Sequence, residues 1–183
     1  MKITFVTSNI DKVKEINQLV NDDIKITQKN IDYPEIQANI EKVARKGVNW
    51  CYEKLTEPLF IEDSGLFIKS LNNFPGPFSS YVFDKIGNKG ILDLLANEEN
   101  RSAYFLSIIA YKDKNHLKLF KGKTEGEIGK ERRGKHGFGY DPVFIPKSSN
   151  KTFGEMDREE KNNYSHRKKA FKKFSKFLSS KNI

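Results

Sequence analysis

KITFVTSNIDKVKEINQLV, residues 2–20, decides the fold. Residues 2–6, KITFV, are mostly apolar and β-prone, the pattern of a buried strand. They run into Thr7-Ser8-Asn9, after which Val13, Ile16, Leu19 and Val20 recur at helical spacing. A strand that feeds a helix through a short polar turn opens an α/β chain. The alternation continues. Residues 24–31 read as a strand, and residues 39–55 as a helix with Ile40, Val43, Ala44 and Val48 on one face. Residues 59–61 read as a short strand leading into a Glu62-Asp63-Ser64-Gly65 turn, with 66–68 again extended. NNFPGP, residues 72–77, is a turn-rich loop, followed by two short helices near 79–86 and 90–96. Residues 103–111, 116–122 and 123–129 read as strands, with a hairpin turn at Asp113-Lys114-Asn115. A glycine-rich loop at 134–139 and a short strand at 143–145 come next. The last helix starts near Ser165, a good N-cap residue, and buries Phe171, Phe174 and Phe177 or Leu178. The pattern predicts an α/β fold with a mixed, strongly twisted sheet.

A chain of 183 residues is one domain, or one domain with two lobes. Folding at this size buries roughly 70% of the unfolded surface, so no staple is needed. With 14 Phe and 12% aromatic residues the composition supports a core and excludes a disordered chain. The single cysteine, Cys51, excludes an intramolecular disulfide and any CxxC pair, and fits a reducing compartment. No leader is expected before the first strand, and no run approaches the roughly 20 apolar residues of a membrane span. A cytoplasmic protein with no membrane association is the expectation. Net charge is +9, and residues 161–183 hold eight Lys/Arg and no Asp/Glu. A basic surface suits a polyanionic partner: nucleic acid, membrane, or a multiply charged small substrate.

Four constellations could carry chemistry. Thr7-Ser8-Asn9 with Lys12 sits at a strand-to-helix turn, where unpaired N–H groups and the helix dipole suit phosphate; a plain N-cap is the alternative, and the glycines of a P-loop are missing. Glu62-Asp63 follows an apolar strand, where two adjacent carboxylates call for a hard divalent cation such as Mg²⁺ unless they lie on a solvated turn. Glu35, in YPEIQ, is a third candidate carboxylate. Gly137-Phe138-Gly139-Tyr140-Asp141 holds an aromatic on a loop that can stack on a base, or that simply turns around a core Phe. EEKNNYSHR, residues 159–167, puts His166 and Arg167 in the first turn of a helix, where their donors suit phosphate or the carbonyl of an oxopurine; a charge-rich exposed helix start is the alternative. No Ser/His/Asp order and no nucleophilic Cys competes. The combination directs the reading to metal-assisted hydrolysis with water as nucleophile.

At these residues the chain resembles the inosine triphosphate pyrophosphatase family, also called Ham1-like. Seven blocks match in order: TSNxxKxxE (7–15), YPEIQ (33–37), EDSGL (62–66), FPGPFSS (74–80), GKTEGEI (122–128), GFGYDPVF (137–144) and EEKNNYSHR (159–167). The resemblance implies an elongated mixed central sheet with flanking helices, and two lobes around an active-site cleft. It implies a homodimer that acts on a purine nucleoside triphosphate and requires no nucleic acid. Thr7, Ser8, Asn9, Lys12 and Lys42 would hold the triphosphate. Glu35 and Asp63 match the acidic metal-site positions for Mg²⁺, with Glu62 adjoining, and Asp63 matches the proposed general base. Ser64 is the neighbouring substrate contact. Phe138 would stack on the purine, with Gly139, Tyr140 and Asp141 on the same loop, and Lys161, His166 and Arg167 would read the base. The activity implied is hydrolysis of ITP, dITP, XTP and dXTP to monophosphate and pyrophosphate.

Two rivals differ in sequence features. A Maf-type pyrophosphatase, which acts on pyrimidine or methylated nucleotides, lacks a block like Ser165-His166-Arg167. An RNA- or polyanion-binding module would use Lys168, Lys169, Lys172, Lys173 and Lys176. These alternate with Ala170, Phe171, Phe174 and Phe177, as they do on an amphipathic helix with a solvated basic face.

Overall fold

A computed structural model of the chain describes residues 2–20, 24–34 and 36–181. The elements in chain order are β1 (Lys2–Val6), α1 (Ile10–Asn17), β2 (Lys25–Lys29), α2 (Ile40–Leu55), β3 (Leu59–Ile68), β4 (Phe74–Pro75), α3 (Ser79–Leu94), β5 (Ser102–Lys112), β6 (Leu117–Ile128), β7 (Phe144–Pro146), α4 (Arg158–Tyr164) and α5 (His166–Ser180). The strands form one mixed sheet in the order β2-β1-β3-β5-β6-β7, with β4 paired to β3. β1 runs parallel to both β2 and β3. Parallel neighbours need a crossover, and α1 and α2 are the helices that lie between these strands in the chain. β3–β4 and β6–β7 are antiparallel. The α/β expectation with a mixed sheet agrees with this architecture.

Three local expectations are corrected. Residues 62–65 form no turn; β3 runs unbroken from Leu59 to Ile68. The turn chemistry of Asp-Ser-Gly is a local preference, and strand pairing on the sheet overrides it. Residues 117–128 are one strand rather than two, and burial alternates through Gly122 as a continuous pleat requires. A helix precedes the last one: Asp157 caps α4 by accepting the Glu160 N–H at 2.8 Å. Ser165 therefore closes α4, its N–H donating to the Lys161 carbonyl, instead of opening α5 as an N-cap. The two helices expected at 79–86 and 90–96 are the halves of α3, which breaks at Gly87.

The chain divides into two compact units. The first comprises residues 1–63, 107–122 and 167–183, and the second residues 64–106 and 123–166. The core of the first gathers Ile3, Phe5, Phe60, Ile109 and Tyr111 from strands with Phe171, Phe174 and Leu178 from α5. Phe5 and Phe60 stack with ring centroids 4.5 Å apart, and Phe174 packs against Phe60 at 4.9 Å. Each such buried ring contributes about 1.5–3 kcal/mol of transfer free energy, which is why α5 docks by its aromatic face. Lys169, Lys172, Lys173 and Lys176 lie exposed on the other side of that helix. The core of the second unit gathers Leu66, Ile68, Val82, Ile91, Phe105, Val143, Phe144 and Phe153. Among the described residues no helix is long and apolar enough to cross a membrane.

Candidate active site

In the first unit the polar turn after β1 caps α1. Asn9 Oδ1 accepts the N–H groups of Asp11 and Lys12 at 2.9 and 3.1 Å, and Thr7 Oγ1 accepts the Asn9 N–H at 3.1 Å. The capping alternative thus describes Asn9, whose carbonyl oxygen takes two first-turn N–H groups. Ser8 is exposed on the same turn. Lys42 lies in the first turn of α2 with its side chain exposed, and its N–H donates to Asn39 Oδ1 at 3.0 Å.

Glu62 and Asp63 are neighbours in the middle of β3, so the pleat sends their side chains to opposite faces. They cannot clamp one cation as an adjacent pair at a strand end could. The Glu62 carboxylate is fully buried. Its Oε2 lies 3.0 Å from Lys12 Nζ, its Oε1 lies 3.2 Å from Arg167 Nε, and Ser107 Oγ donates to Oε1 at 2.6 Å. Lys12 Nζ also donates to the Glu62 carbonyl at 2.7 Å. Burial alone would push the Glu62 carboxyl up; Arg167, Lys12 and the Ser107 hydroxyl outweigh that and hold it well below the usual carboxylate range. Arg167 pairs with Glu15 as well. Glu62, expected to adjoin the metal, is thus taken up by two cations and a hydroxyl.

Asp63 is half-buried, and its Oδ1 accepts from the Tyr33 hydroxyl at 3.2 Å. The Asp63 charge is felt at Cys51, whose thiol is pushed up to about 11 by burial and by that carboxylate. Glu35, the other expected metal ligand, lies outside the described residues, among which no cluster of three or more His, Cys, Asp or Glu is arranged for a metal. Mg²⁺ needs less than such a cluster. One or two carboxylates suffice when water and substrate phosphates complete the shell, and the Asp63 oxygens suit that donor set.

In the second unit the base-stacking candidates form a buried ionic cluster. Asp141 Oδ2 accepts the Phe138 N–H at 2.8 Å and the Lys161 ammonium at 2.7 Å. The Lys161 ammonium lies 5.3 Å from the Phe138 ring centre and 5.5 Å from that of Phe153. Gly137 has φ 74°, and a Cβ there would meet Asp141 Oδ2 at 2.0 Å, so only glycine lets the loop fold back on its own aspartate. Tyr140 is buried, and its hydroxyl donates to the Ser79 carbonyl at 2.9 Å. His166 stacks on Phe105 at 4.6 Å with the rings 8° from parallel. His166 and Arg167 are 3% and 2% exposed, which excludes the solvated helix start. Ser64 follows Asp63 on β3. An open groove of about 970 Å³ lined by Lys89, Asp93, Arg101, Lys130 and Arg132 among others contains none of these residues, and its opposite charges offset one another.

Sequence reasoning missed Ser107 and Phe105, and left Tyr33 and Glu15 inside quoted motifs without a role. Ser107 and Phe105 stand in an apolar strand, where nothing local marks them. Tyr33 and Glu15 gain their partners only when distant segments meet.

The sequence model of the Ham1 family matches residues 3–177. A protein of Pyrococcus horikoshii named dITP/XTP pyrophosphatase is 52% identical over 180 residues, 97% of each chain. One of the same name from Methanopyrus kandleri is 47% identical over 97% of this chain and 96% of its own. Among solved structures, a HAM1 protein from Coxiella burnetii superposes with TM-score 0.89 at 32% identity, covering 98% of this chain and 99% of that one. The Staphylococcus aureus Ham1 protein superposes with TM-score 0.88 at 26% identity, covering 99% and 100%.

Proposed function

The chain belongs to the Ham1 family, and from that premise we propose that it is a nucleoside triphosphate pyrophosphatase that hydrolyses dITP, ITP, XTP and dXTP to monophosphate and pyrophosphate. The observation that carries the reading is the buried Glu62 carboxylate, which anchors the Lys12 and Arg167 cations next along the strand from Asp63. Relatives named for dITP and XTP at about half identity over the full chain support the substrate class.

Lys12, Ser8, Asn9 and Lys42 bind the triphosphate in this reading, with Thr7 and the Asn9 cap shaping the turn. Glu62 holds the Lys12 ammonium in one position, so its charge is pre-set before the leaving group becomes more negative. Asp63 orients a water and takes its proton as the oxygen bonds to the α-phosphorus; the α–β phosphoanhydride breaks, and its bridging oxygen leaves with pyrophosphate. The Tyr33 hydroxyl on Oδ1 steadies that carboxylate. Asp63, together with Glu35, would hold Mg²⁺, which when bound supplies Lewis-acid polarisation of the phosphates.

Phe138 stacks on the purine, with Gly139, Tyr140 and Ser64 as further contacts. Asp141 fixes both Phe138 and Lys161 from behind. Lys161, His166 and Arg167 offer donors, which suit the 6-oxo group of hypoxanthine or xanthine. The 6-amino group of adenine would leave a donor facing a donor at a cost of about 1–3 kcal/mol, or roughly 10–100-fold in selectivity per contact. A cytoplasmic homodimer belongs to the same reading.

The test is pyrophosphate release from dITP, XTP, ITP, dATP and dGTP, with magnesium and with excess chelator. Turnover of dITP and XTP that chelator abolishes is expected. A protein that leaves dITP intact in magnesium has another function.

A further inference from the structure

We propose that Asn88 is a positioning residue of the nucleotide site, acting through the loop that carries Phe138. The inference rests on the pyrophosphatase reading above.

Asn88 is 5% exposed, and its Nδ2 donates to the Gly139 carbonyl at 3.1 Å. The other side of the amide, Oδ1, is buried and finds no hydrogen-bond partner among the described residues. Turning the amide over would set oxygen against oxygen, so the donor side is determined. A buried acceptor without a partner costs about 1–3 kcal/mol. An apolar side chain of similar shape would avoid that cost, so what the asparagine provides here is the bond to Gly139.

The backbone reinforces the point. Asn88 follows Gly87, which breaks α3 with φ 58° and ψ −162°, a region essentially closed to other residues. A Cβ on Gly87 would meet nothing within 4 Å. Glycine is needed there for the break itself rather than for space, and the break is what turns Asn88 inward. Gly139 lies between Phe138, the stacking candidate, and Tyr140, which is tied to Ser79 at the start of the same helix. The start of α3 and the residue just past its break thus hold one loop, through Ser79 and through Asn88.

Loss of the Asn88 bond loosens the surface that receives the base and leaves the phosphate-binding turn alone. Such a change removes binding shared by ground and transition states, so it raises KM and spares kcat. The experiment compares wild type with Asn88→Ala and Asn88→Asp, using dITP as substrate and inorganic tripolyphosphate, which has no base, as competitive inhibitor. Asn88→Ala is expected to raise KM for dITP about tenfold, with kcat and the tripolyphosphate Ki within about twofold. Asn88→Asp repels the Gly139 carbonyl when ionised and donates to it when protonated. Its KM, divided by that of wild type, is therefore expected to fall as pH is lowered, whereas the Asn88→Ala ratio stays flat. KM unchanged in both variants overturns the inference, and so does a tripolyphosphate Ki that rises in step with KM. Wild-type protein that turns over no dITP overturns the pyrophosphatase reading and this inference with it. Should Asn88→Ala fail to fold, the pH dependence of Asn88→Asp alone decides.

Discussion

The Arg167 guanidinium at the start of α5 lies 3.2 Å from the Glu62 carboxylate in the middle of β3, and neither side chain is more than 3% exposed. A buried charge pair of this kind is weak evidence for stability, because desolvation offsets most of its attraction. Its partners are more telling. Lys12 reaches the same carboxylate and Glu15 the same guanidinium, so four charges share one site in the first unit.

Removing one member of that network is expected to cost more than the network contributes. Glu62→Gln leaves two cations without the charge that offsets them. It should destabilise the fold by about 3 kcal/mol in urea titrations. The surface pair Lys121–Glu41 is the comparison: its side chains are 49% and 46% exposed, and Glu41→Gln should cost less than about 1 kcal/mol. Equal losses in the two variants would show that burial does not set the cost.

Asp63→Asn keeps shape and size but cannot take a proton from water. With the melting temperature unchanged, kcat for dITP should fall at least about 10²-fold. Near-normal turnover removes Asp63 from its role as base.

Gly137→Ala puts a methyl where Asp141 Oδ2 now sits, on a backbone with φ 74°. The aspartate must move off Phe138 and Lys161, and a left-handed conformation adds about 1–2 kcal/mol for a residue with a Cβ. KM for dITP should rise about tenfold or more. Gly129→Ala, whose Cβ would meet only ordinary contacts from 3.4 Å outward, is expected to leave KM unchanged. Identical KM values for both variants and wild type would count against the Phe138 loop as the base platform.

Asp113 ties the β5–β6 turn to the residue that follows α5. It accepts from the Tyr111 hydroxyl at 2.6 Å and from the Asn115 and His116 N–H groups at 2.8 and 2.7 Å, and pairs with Lys181. Burial pushes its carboxyl up, but Lys181, Tyr111, the Asn115 N–H and the His116 ring outweigh this and hold it well below the usual range. A folded-state value below the unfolded value of about 3.9 means the contribution is full above that pH and lost as acid protonates the folded group. Unfolding free energy measured by urea from pH 7 to pH 2 should therefore fall more steeply for wild type than for Asp113→Asn. Parallel curves would remove Asp113 from the acid limb.

The thiol of Cys51 is buried and pushed up to about 11 by burial and by Asp63. The thiolate is the reactive form, so a disulfide reagent at pH 8 should leave the folded protein unlabelled and react at once in denaturant. Rapid labelling of native protein would mean that the Cys51 face of α2 is open to solvent.

Much of the frame was legible in the chain itself. β1, α1, α2, β5 and the aromatic face of α5 follow from hydrophobic spacing, because one face of each packs against a core and local periodicity records that face. The break in α3 was visible as two short helices around Gly87-Asn88. The candidate residues were legible through seven collinear motifs. β3 was misread as two strands around a turn, because Asp-Ser-Gly favours turns when it stands alone.

What the sequence by itself determined is the alternation of most strands and helices along the chain, and the identity of the groups that could do chemistry. Only the tertiary structure decided which of them meet. Glu62 and Asp63 are adjacent in sequence and look like a pair, yet the pleat sends them to opposite faces. One holds Lys12 and Arg167, the other stands with Tyr33. Asn88 and Gly139 are 51 residues apart and share a hydrogen bond. Periodicity reports only which way a side chain faces along its own element. Partners across the fold are chosen by how elements pack, and that choice depends on the whole chain at once.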